Sequence, residues 1–203
     1  MRQWLKVAAP AALLCALLLP AAPAAAEELV VLETSMGTMK VRLFRDAAPR
    51  TAQAFVDLVE DGFYDGTEFY RVVTGHVVQF GDGGENDRPA VPFEAKKPAD
   101  GGHPHVAGAV GLARDADPDS GSTKIYVCLA PRPHLDGNYT VFGEVAEGLD
   151  VLAEIGAVEV DEQWVGDEGT IAFHAPKEPV VIRRAWVERD ADRAPRAPAH
   201  PPR

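Results

Sequence analysis

Short segments in which apolar and polar residues alternate recur along most of the chain. From residue 39 to residue 43, every second residue is apolar and the residues between them are basic. Because successive side chains of a strand point to opposite sides, this alternation predicts a strand with one buried face. Comparable runs predict further strands at 29–34, 108–113, 124–129, 139–145 and 180–187, and two short strands within 69–80.

Two segments have helical spacing instead. The first begins near Pro49, which suits the first turn of a helix, and ends near Gly62, a common C-terminal stop. Its apolar residues lie three or four positions apart, at Ala52, Phe55, Val56 and Val59. A shorter helix is predicted at 149–155. Residues 158–177 have apolar residues without a clear period, and we interpret them as a decoration on the main fold.

Many short strands with only two helices favour an antiparallel β-barrel or sandwich to which the helices are attached. The 203 residues suit one domain with extensions, and 46% hydrophobic residues are enough for a sizeable core. The formal net charge is −11. An acidic chain is a poor ligand for a phosphate backbone, so we expect no nucleic-acid partner.

The first 26 residues have the composition of a secretory signal peptide. Basic residues precede an apolar run of about 13 residues, and three alanines at 24–26 offer a cleavage site. A transmembrane anchor is the alternative, but the run is short of the ~20 residues that span a bilayer. We therefore predict an exported protein, periplasmic or secreted, that is not inserted in the membrane after cleavage. Residues 27–189 form the predicted domain, and 190–203, rich in Pro, Ala and Arg, are predicted to be disordered.

Cysteine and histidine give little sign of redox or metal chemistry. Cys128 is the only cysteine left after signal cleavage, so no internal disulfide can form, and its apolar neighbours predict a buried, inert thiol. The pair His103 and His105 lacks the cysteine or carboxylate spacing of a metal site. We expect neither a metal nor another cofactor.

One polar residue interrupts an apolar strand in an informative way. Arg71 lies in the middle of the run 69–73, and Gln79 follows eight residues later. From these residues alone, two other roles remain open. Arg71 could be a solvent-exposed residue on the outer face of the strand, and the Gln79 side chain could form hydrogen bonds only with the backbone.

The order of several motifs resembles the cyclophilin family of peptidyl-prolyl cis/trans isomerases, in particular bacterial, exported members. The resemblance rests on the arginine-centred run 69–73, the segments 79–83 and 108–114, the strand 123–127 and the Leu-Asp-Gly to Val-Phe-Gly-Glu-Val stretch at 135–145. It implies a mainly β fold, a closed eight-stranded antiparallel β-barrel capped by two helices. It also implies a substrate groove on the outer wall of the barrel.

The resemblance assigns roles to individual residues. It implies that Arg71 is the catalytic arginine and Gln79 the glutamine beside it. Ala113, Tyr126 and Leu135 fall on positions that line the groove and its proline-binding pocket. An X-Pro amide isomerises without a nucleophile, metal or cofactor, and a fixed cation aimed at the imide nitrogen stabilises the twisted state.

Other pocket positions depart from the family. His76 and Val77 replace a Phe-Met pair, Lys124 replaces a glutamine, and His134 replaces an aromatic residue that contacts cyclosporin. Tyr139 occupies a position that is usually histidine. A few tens of Å² of lost apolar wall cost about 1 kcal/mol, which is several-fold in rate. We expect reduced activity, weak cyclosporin binding, a preference of Lys124 for acidic peptides, and activity that falls as His76 becomes protonated.

The sequence thus predicts a monomeric isomerase that acts on proline-containing polypeptides and assists the folding of exported proteins. One alternative is a catalytically weak cyclophilin-like module that binds peptides or acts as a chaperone. A more distant one is an unrelated barrel that binds a small ligand in its lumen.

Overall fold

The computed structural model describes residues 28–81, 88–165 and 171–189. Each predicted strand and helix is confirmed within these ranges, with ends that differ by at most two residues. The elements are β1 Glu28–Thr34, β2 Gly37–Leu43, α1 Pro49–Glu60, β3 Arg71–Val73, β4 Val77–Phe80, β5 Ala109–Leu112, β6 Ile125–Cys128, β7 Val141–Glu147, α2 Leu149–Ile155, β8 Val160–Val165, β9 Ile171–Pro176 and β10 Ile182–Arg189. The predicted signal peptide and C-terminal tail lie outside the described residues.

Eight of the strands form one antiparallel sheet in the order β10-β1-β2-β7-β5-β6-β4-β3. The hairpins β1–β2 and β3–β4 join neighbours directly, whereas β2–β7 and β4–β6 pair strands that are distant in sequence. The fold is therefore mainly β with two helices, as the alternating pattern predicts.

The prediction of a closed barrel is wrong, because the sheet is an open half-barrel whose edges are β10 and β3. The segments that lead into these two edge strands meet at an isolated bridge, between Glu68 and Val181. There the Phe69 N–H donates to the Val180 carbonyl at 2.9 Å. These contacts precede the first residue of both strands, and β3 has only three residues, so the ladder ends where β3 begins.

The two faces of the sheet bury different clusters. Val78, Val110 and Val127 belong to the main core, with the apolar faces of α1 and α2. Several of their sequence neighbours point to the other face and form a smaller cluster together with Val141, made of Val77, Ala109, Tyr126, Cys128 and Val141. The second cluster is a small apolar floor on the outer wall of the half-barrel.

The unassigned segment 158–177 contains a second, two-stranded antiparallel sheet, β8 and β9. Strand β9 lies beside the edge strand β3. The interpretation of this segment as a decoration agrees with its separate sheet. No helix of the described residues is long and apolar enough to cross a membrane.

Candidate functional site

A row of four residues crosses the outer wall of the sheet. Arg71 on β3 is paired with Gln79 on β4, Gln79 with Tyr126 on β6, and Tyr126 with Gly111 on β5. Residues directly opposite each other on neighbouring strands present their side chains on the same face. Pairing across strands therefore brings together residues that are up to 55 positions apart in sequence (71 to 126).

A pocket of about 310 Å³, here called the groove pocket, opens over this row. Its lining residues are Arg71, His76, Val77, Gln79, Ala113, Arg114, Tyr126, Leu135 and Tyr139. Eight of these nine are candidate site residues from the sequence. The remaining two candidates, Lys124 and His134, are exposed and do not line it.

The arginine and glutamine of the row are hydrogen-bonded to each other. Nη1 of Arg71 donates to Oε1 of Gln79 at 2.5 Å, and both side chains are half-buried. A short strand is a rigid mount for the guanidinium, and the glutamine amide fixes its orientation. Because the amide oxygen accepts from Arg71, the amide nitrogen remains as the donor that Gln79 can offer a ligand.

His76 is held as a neutral ring in the groove pocket. Nε of Arg132 donates to Nδ1 of His76 at 2.5 Å, so that nitrogen carries no proton and the ring proton lies on Nε2. Nη2 of Arg132 also donates to the Gly75 carbonyl. Burial, followed by the charges of Arg132 and Arg71, lowers the pKa of His76. His76 therefore supplies a polar N–H where the sequence comparison expects an apolar wall.

The two candidates outside the groove pocket lie at its margin. Nζ of Lys124 is 5.8 Å from the centre of the Tyr70 ring, a cation–π distance. The ring of His134 is roughly parallel to that of His76, with centroids 6.2 Å apart. Neither of them is part of the lining of the groove pocket.

Arg114 is a lining residue that sequence reasoning missed. Its guanidinium lies 4.7 Å from the centre of the Tyr139 ring and 5.7 Å from that of Phe93. Nε and Nη2 donate to the Asn138 carbonyl at 3.1 and 2.8 Å. The sequence offered one indication of this role, because Arg114 directly follows Ala113, which falls on a groove position. The groove pocket therefore has a second fixed cation in its lining besides Arg71.

Tyr126 has a buried hydroxyl, and that hydroxyl has a partner. The side chain is 5% exposed, and its oxygen is 2.7 Å from Nε2 of His105, which is itself 2% exposed. Nδ1 and the backbone N–H of His105 contact Oδ1 of Asp136 at 2.7 and 2.9 Å. Sequence reasoning considered His105 only as a metal ligand and did not identify it as the partner of Tyr126.

Burial shifts the pKa values of these groups. It raises the pKa of the Tyr126 hydroxyl and lowers that of His105, where Asp136 only partly offsets the effect. Burial acts to raise the pKa of Asp136, but the hydrogen bonds from His105 outweigh it and the net shift is downward. At neutral pH the group therefore consists of a phenol, a neutral imidazole and a carboxylate.

The thiol of Cys128 lies in the apolar floor next to Tyr126. It is free and buried, and burial raises its pKa to about 11. The prediction of a buried thiol is confirmed. Within the described ranges, no three His, Cys, Asp or Glu side chains converge as metal ligands.

Comparison with known proteins places this geometry in a family. Residues 29–187 match the family model described as cyclophilin type peptidyl-prolyl cis-trans isomerase/CLD. Peptidyl-prolyl cis-trans isomerase-like 1 of Mus musculus is 36% identical over 138 residues, which are 66% of this chain and 82% of that protein. The protein of the same name from Neurospora crassa is 32% identical over 166 residues, 80% of this chain and 96% of its own length.

Solved structures agree with the fold. A cyclophilin-type isomerase of Cryptosporidium parvum superposes with a TM-score of 0.65 at 20% identity, covering 80% of this chain and 98% of its own. A cyclophilin of Hirschia baltica gives a TM-score of 0.61 at 25% identity, covering 77% and 72%. A bacterial, exported character stays a prediction. The matched family model and relatives show that this chain belongs to the cyclophilin-type peptidyl-prolyl cis-trans isomerases.

Proposed function

We propose that this isomerase turns X-Pro bonds in the groove pocket and that Arg71 stabilises the twisted amide. The observation that carries the proposal is the hydrogen-bonded pair of Arg71 and Gln79, mounted on adjacent strands at one wall of a pocket whose other walls include Leu135 and Val77. Proline-containing polypeptides are its substrates, and no cofactor is needed.

The chemistry follows from the electronic structure of the amide. Resonance keeps the X-Pro bond planar, with a barrier near ~18–20 kcal/mol. Twisting the bond localises a lone pair on the imide nitrogen and makes it a hydrogen-bond acceptor. A guanidinium held in place binds this nitrogen better in the twisted state than in either planar state, and such differential binding is what accelerates a reaction.

In this proposal, Gln79 binds the peptide backbone and the apolar walls bind the proline ring. The Gln79 amide nitrogen donates to a substrate carbonyl and fixes the peptide along the row, while Leu135, Val77 and Ala113 hold the pyrrolidine ring. Excluding water from the ring side removes solvent that would favour the polar planar form. His76 makes this wall smaller and more polar, so we expect turnover below that of a fully apolar pocket.

The test is a protease-coupled or NMR exchange assay with a proline tetrapeptide. Removing one fixed donor to developing charge typically costs about 10²–10³ in rate, so Arg71→Ala should lose about a hundredfold in kcat/KM. Arg42→Ala is the matched control, because Arg42 is ion-paired with Glu144 at 2.8 Å and does not line the groove pocket. If Arg71→Ala turns over as fast as the wild type, the proposed role of Arg71 is wrong.

The exported location is part of the proposal and rests on residues 1–26 alone. Their charge, apolar run and small-residue site are typical of a cleaved signal. Expression of the full chain should give a mature protein that begins at Glu27 in an extracytoplasmic fraction. Intact-mass measurement of the purified protein decides this: retention of the first 26 residues would rule out the predicted cleavage.

A second candidate function is peptide binding with little turnover. His76 favours it, because a polar N–H in the pocket can hold a peptide without helping it to twist. NMR titration with the same tetrapeptide separates the two: saturable shifts without exchange enhancement would favour the binding module.

A further inference from the structure

We propose that His105 and Asp136 are positioning residues that hold Tyr126 as a wall of the groove pocket. The inference rests on the proposed use of this pocket for proline. Neither residue lines the pocket, so both act through the tyrosine.

The contacts form a chain of three side chains. The Tyr126 hydroxyl and Nε2 of His105 are 2.7 Å apart, and the two rings are nearly parallel, with an interplanar angle of 9°. Nδ1 of His105 lies 2.7 Å from Oδ1 of Asp136, and the same oxygen accepts the His105 backbone N–H. The carboxylate thus fixes both the position of the histidine and the rotation of its ring.

The contacts between these three side chains set which group donates in the hydrogen bond of the Tyr126 hydroxyl. An ionised Asp136 can only accept, so Nδ1 of His105 carries the ring proton and donates it. Nε2 of the neutral ring is then an acceptor, and the Tyr126 hydroxyl donates to it. The hydroxyl is therefore engaged beneath the groove, while the ring is left to face the ligand as a phenylalanine would.

Gly111 supplies the space that this arrangement needs. It lies opposite Tyr126 in the row, and a Cβ atom built on it would collide with the phenol carbon Cζ and the hydroxyl oxygen of Tyr126. A larger residue at 111 would push the tyrosine towards the groove. The glycine and His105 thus favour the same ring position by independent means.

Loss of His105 has a specific expected consequence. A buried hydroxyl without a partner is costly, and the open space that Tyr126 lines is the groove pocket. The ring would turn its hydroxyl towards that space and occupy the part of it that a proline ring needs. A phenylalanine at 126 has no hydroxyl to satisfy, so it would not depend on His105 in this way.

The experiment is a double-mutant cycle of His105→Ala and Tyr126→Phe, with kcat, KM and peptide affinity measured for each variant. We expect His105→Ala in the wild-type background to lower kcat/KM at least tenfold, mainly through KM, and to weaken peptide binding to the same extent. In the Tyr126→Phe background, the same change should cost less than threefold. His103→Ala is the matched control from the same loop, since His103 stacks on Phe44 and does not line the pocket.

An equal loss in both backgrounds would overturn the inference, because His105 would then act independently of the hydroxyl. If His105→Ala alone does not fold, Asp136→Ala decides by the same criterion, since it removes the oxygen that accepts from both Nδ1 and the backbone N–H of His105. An Asp136→Ala change that raises KM equally with tyrosine and phenylalanine at 126 would also overturn it. Failure of the proposed function is distinguishable: turnover would be indifferent to Arg71→Ala, while the affinity cycle would still report on His105.

Discussion

Helix α1 receives its N-terminal cap from a residue far away in sequence, and removing that cap should cost measurable stability. The residue before the helix, Ala48, provides no side-chain cap, and the first turn contains no acidic residue. Instead, Oε2 of Glu94 accepts from the backbone N–H and the hydroxyl of Thr51 at 2.8 and 2.7 Å. Oε1 accepts from the backbone N–H and Nε of Arg50, both at 3.1 Å.

The size of the effect follows from this geometry. The Glu94 side chain is only 6% exposed, so its four hydrogen bonds are not replaced by water when it is changed. In Glu94→Gln, one oxygen still serves Thr51, but the new NH₂ group faces the donors of Arg50. A hydrogen bond to a charged group is worth about 1.5–3 kcal/mol, and an N-cap about 0.5–2 kcal/mol. We expect a loss of about 2 kcal/mol, or ~4–8 °C in Tm for a chain of this size.

The loss should depend on pH in a defined direction. Burial acts to raise the pKa of Glu94, but the hydrogen bonds from Thr51 and Arg50 outweigh it and lower the pKa below its ordinary value of 4.5. A carboxylate with a depressed pKa contributes stability that is present above the unfolded-state pKa and is lost as pH falls through the folded-state pKa. The difference between wild type and Glu94→Gln should therefore shrink in acid.

Urea unfolding at pH 7 and at an acid pH where the protein still folds measures both effects. Glu154→Gln is the matched control, because Glu154 is an exposed glutamate on the other helix, α2. A Glu94→Gln loss below about 0.5 kcal/mol at pH 7, within the range of ordinary surface substitutions, would refute the capping argument. A loss of equal size at both pH values would refute its electrostatic part.

Three further predictions concern the groove. Arg132→Ala should raise the pKa of His76 in an NMR titration, because it removes a nearby positive charge and the donor to Nδ1; an unchanged titration would contradict the assigned contact. Lys124→Gln should reduce the preference for acidic over neutral residues near proline by several-fold in kcat/KM, and an unchanged ratio would mean that Lys124 does not meet the peptide. His134→Trp should strengthen cyclosporin binding in calorimetry, whereas equal affinity would show that the weak binding expected here has another cause.

Local periodicity was enough to predict the eight strands of the main sheet and the two helices, because burial of one face is visible in the sequence itself. The alternation at 39–43 and the spacing of apolar residues in α1 each depend on one element alone. The pairing of Arg71 with Gln79 was also within reach. Once a tight turn sets Val73 opposite Val77, antiparallel geometry places 71 opposite 79.

Longer-range arrangement could not be predicted in this way. Closure of the barrel depends on whether β3 and β10 extend far enough to pair, and nothing in the three-residue run of β3 specifies its length. The hairpin β8–β9 forms a sheet of its own outside the main sheet, and the apolar residues of its sequence have no regular period that would predict it. Lys124 and His134 matched groove positions in sequence, yet they lie outside the lining because a matched position fixes the backbone but not where a longer side chain extends.

The hydrogen bond between His105 and Tyr126 could have been predicted from the sequence. A tyrosine in an apolar strand that is paired on both sides must bury its hydroxyl, and a buried hydroxyl is almost always hydrogen-bonded. The partner must then come from outside the sheet, from a residue that can accept and is itself held in place. A histidine fixed by the aspartate of the Leu-Asp-Gly turn meets both conditions. The glycine opposite Tyr126 points to the same arrangement, because no other residue leaves room for the phenol. Two residues that look unrelated along the chain, Gly111 and Tyr126, are therefore linked by one packing requirement.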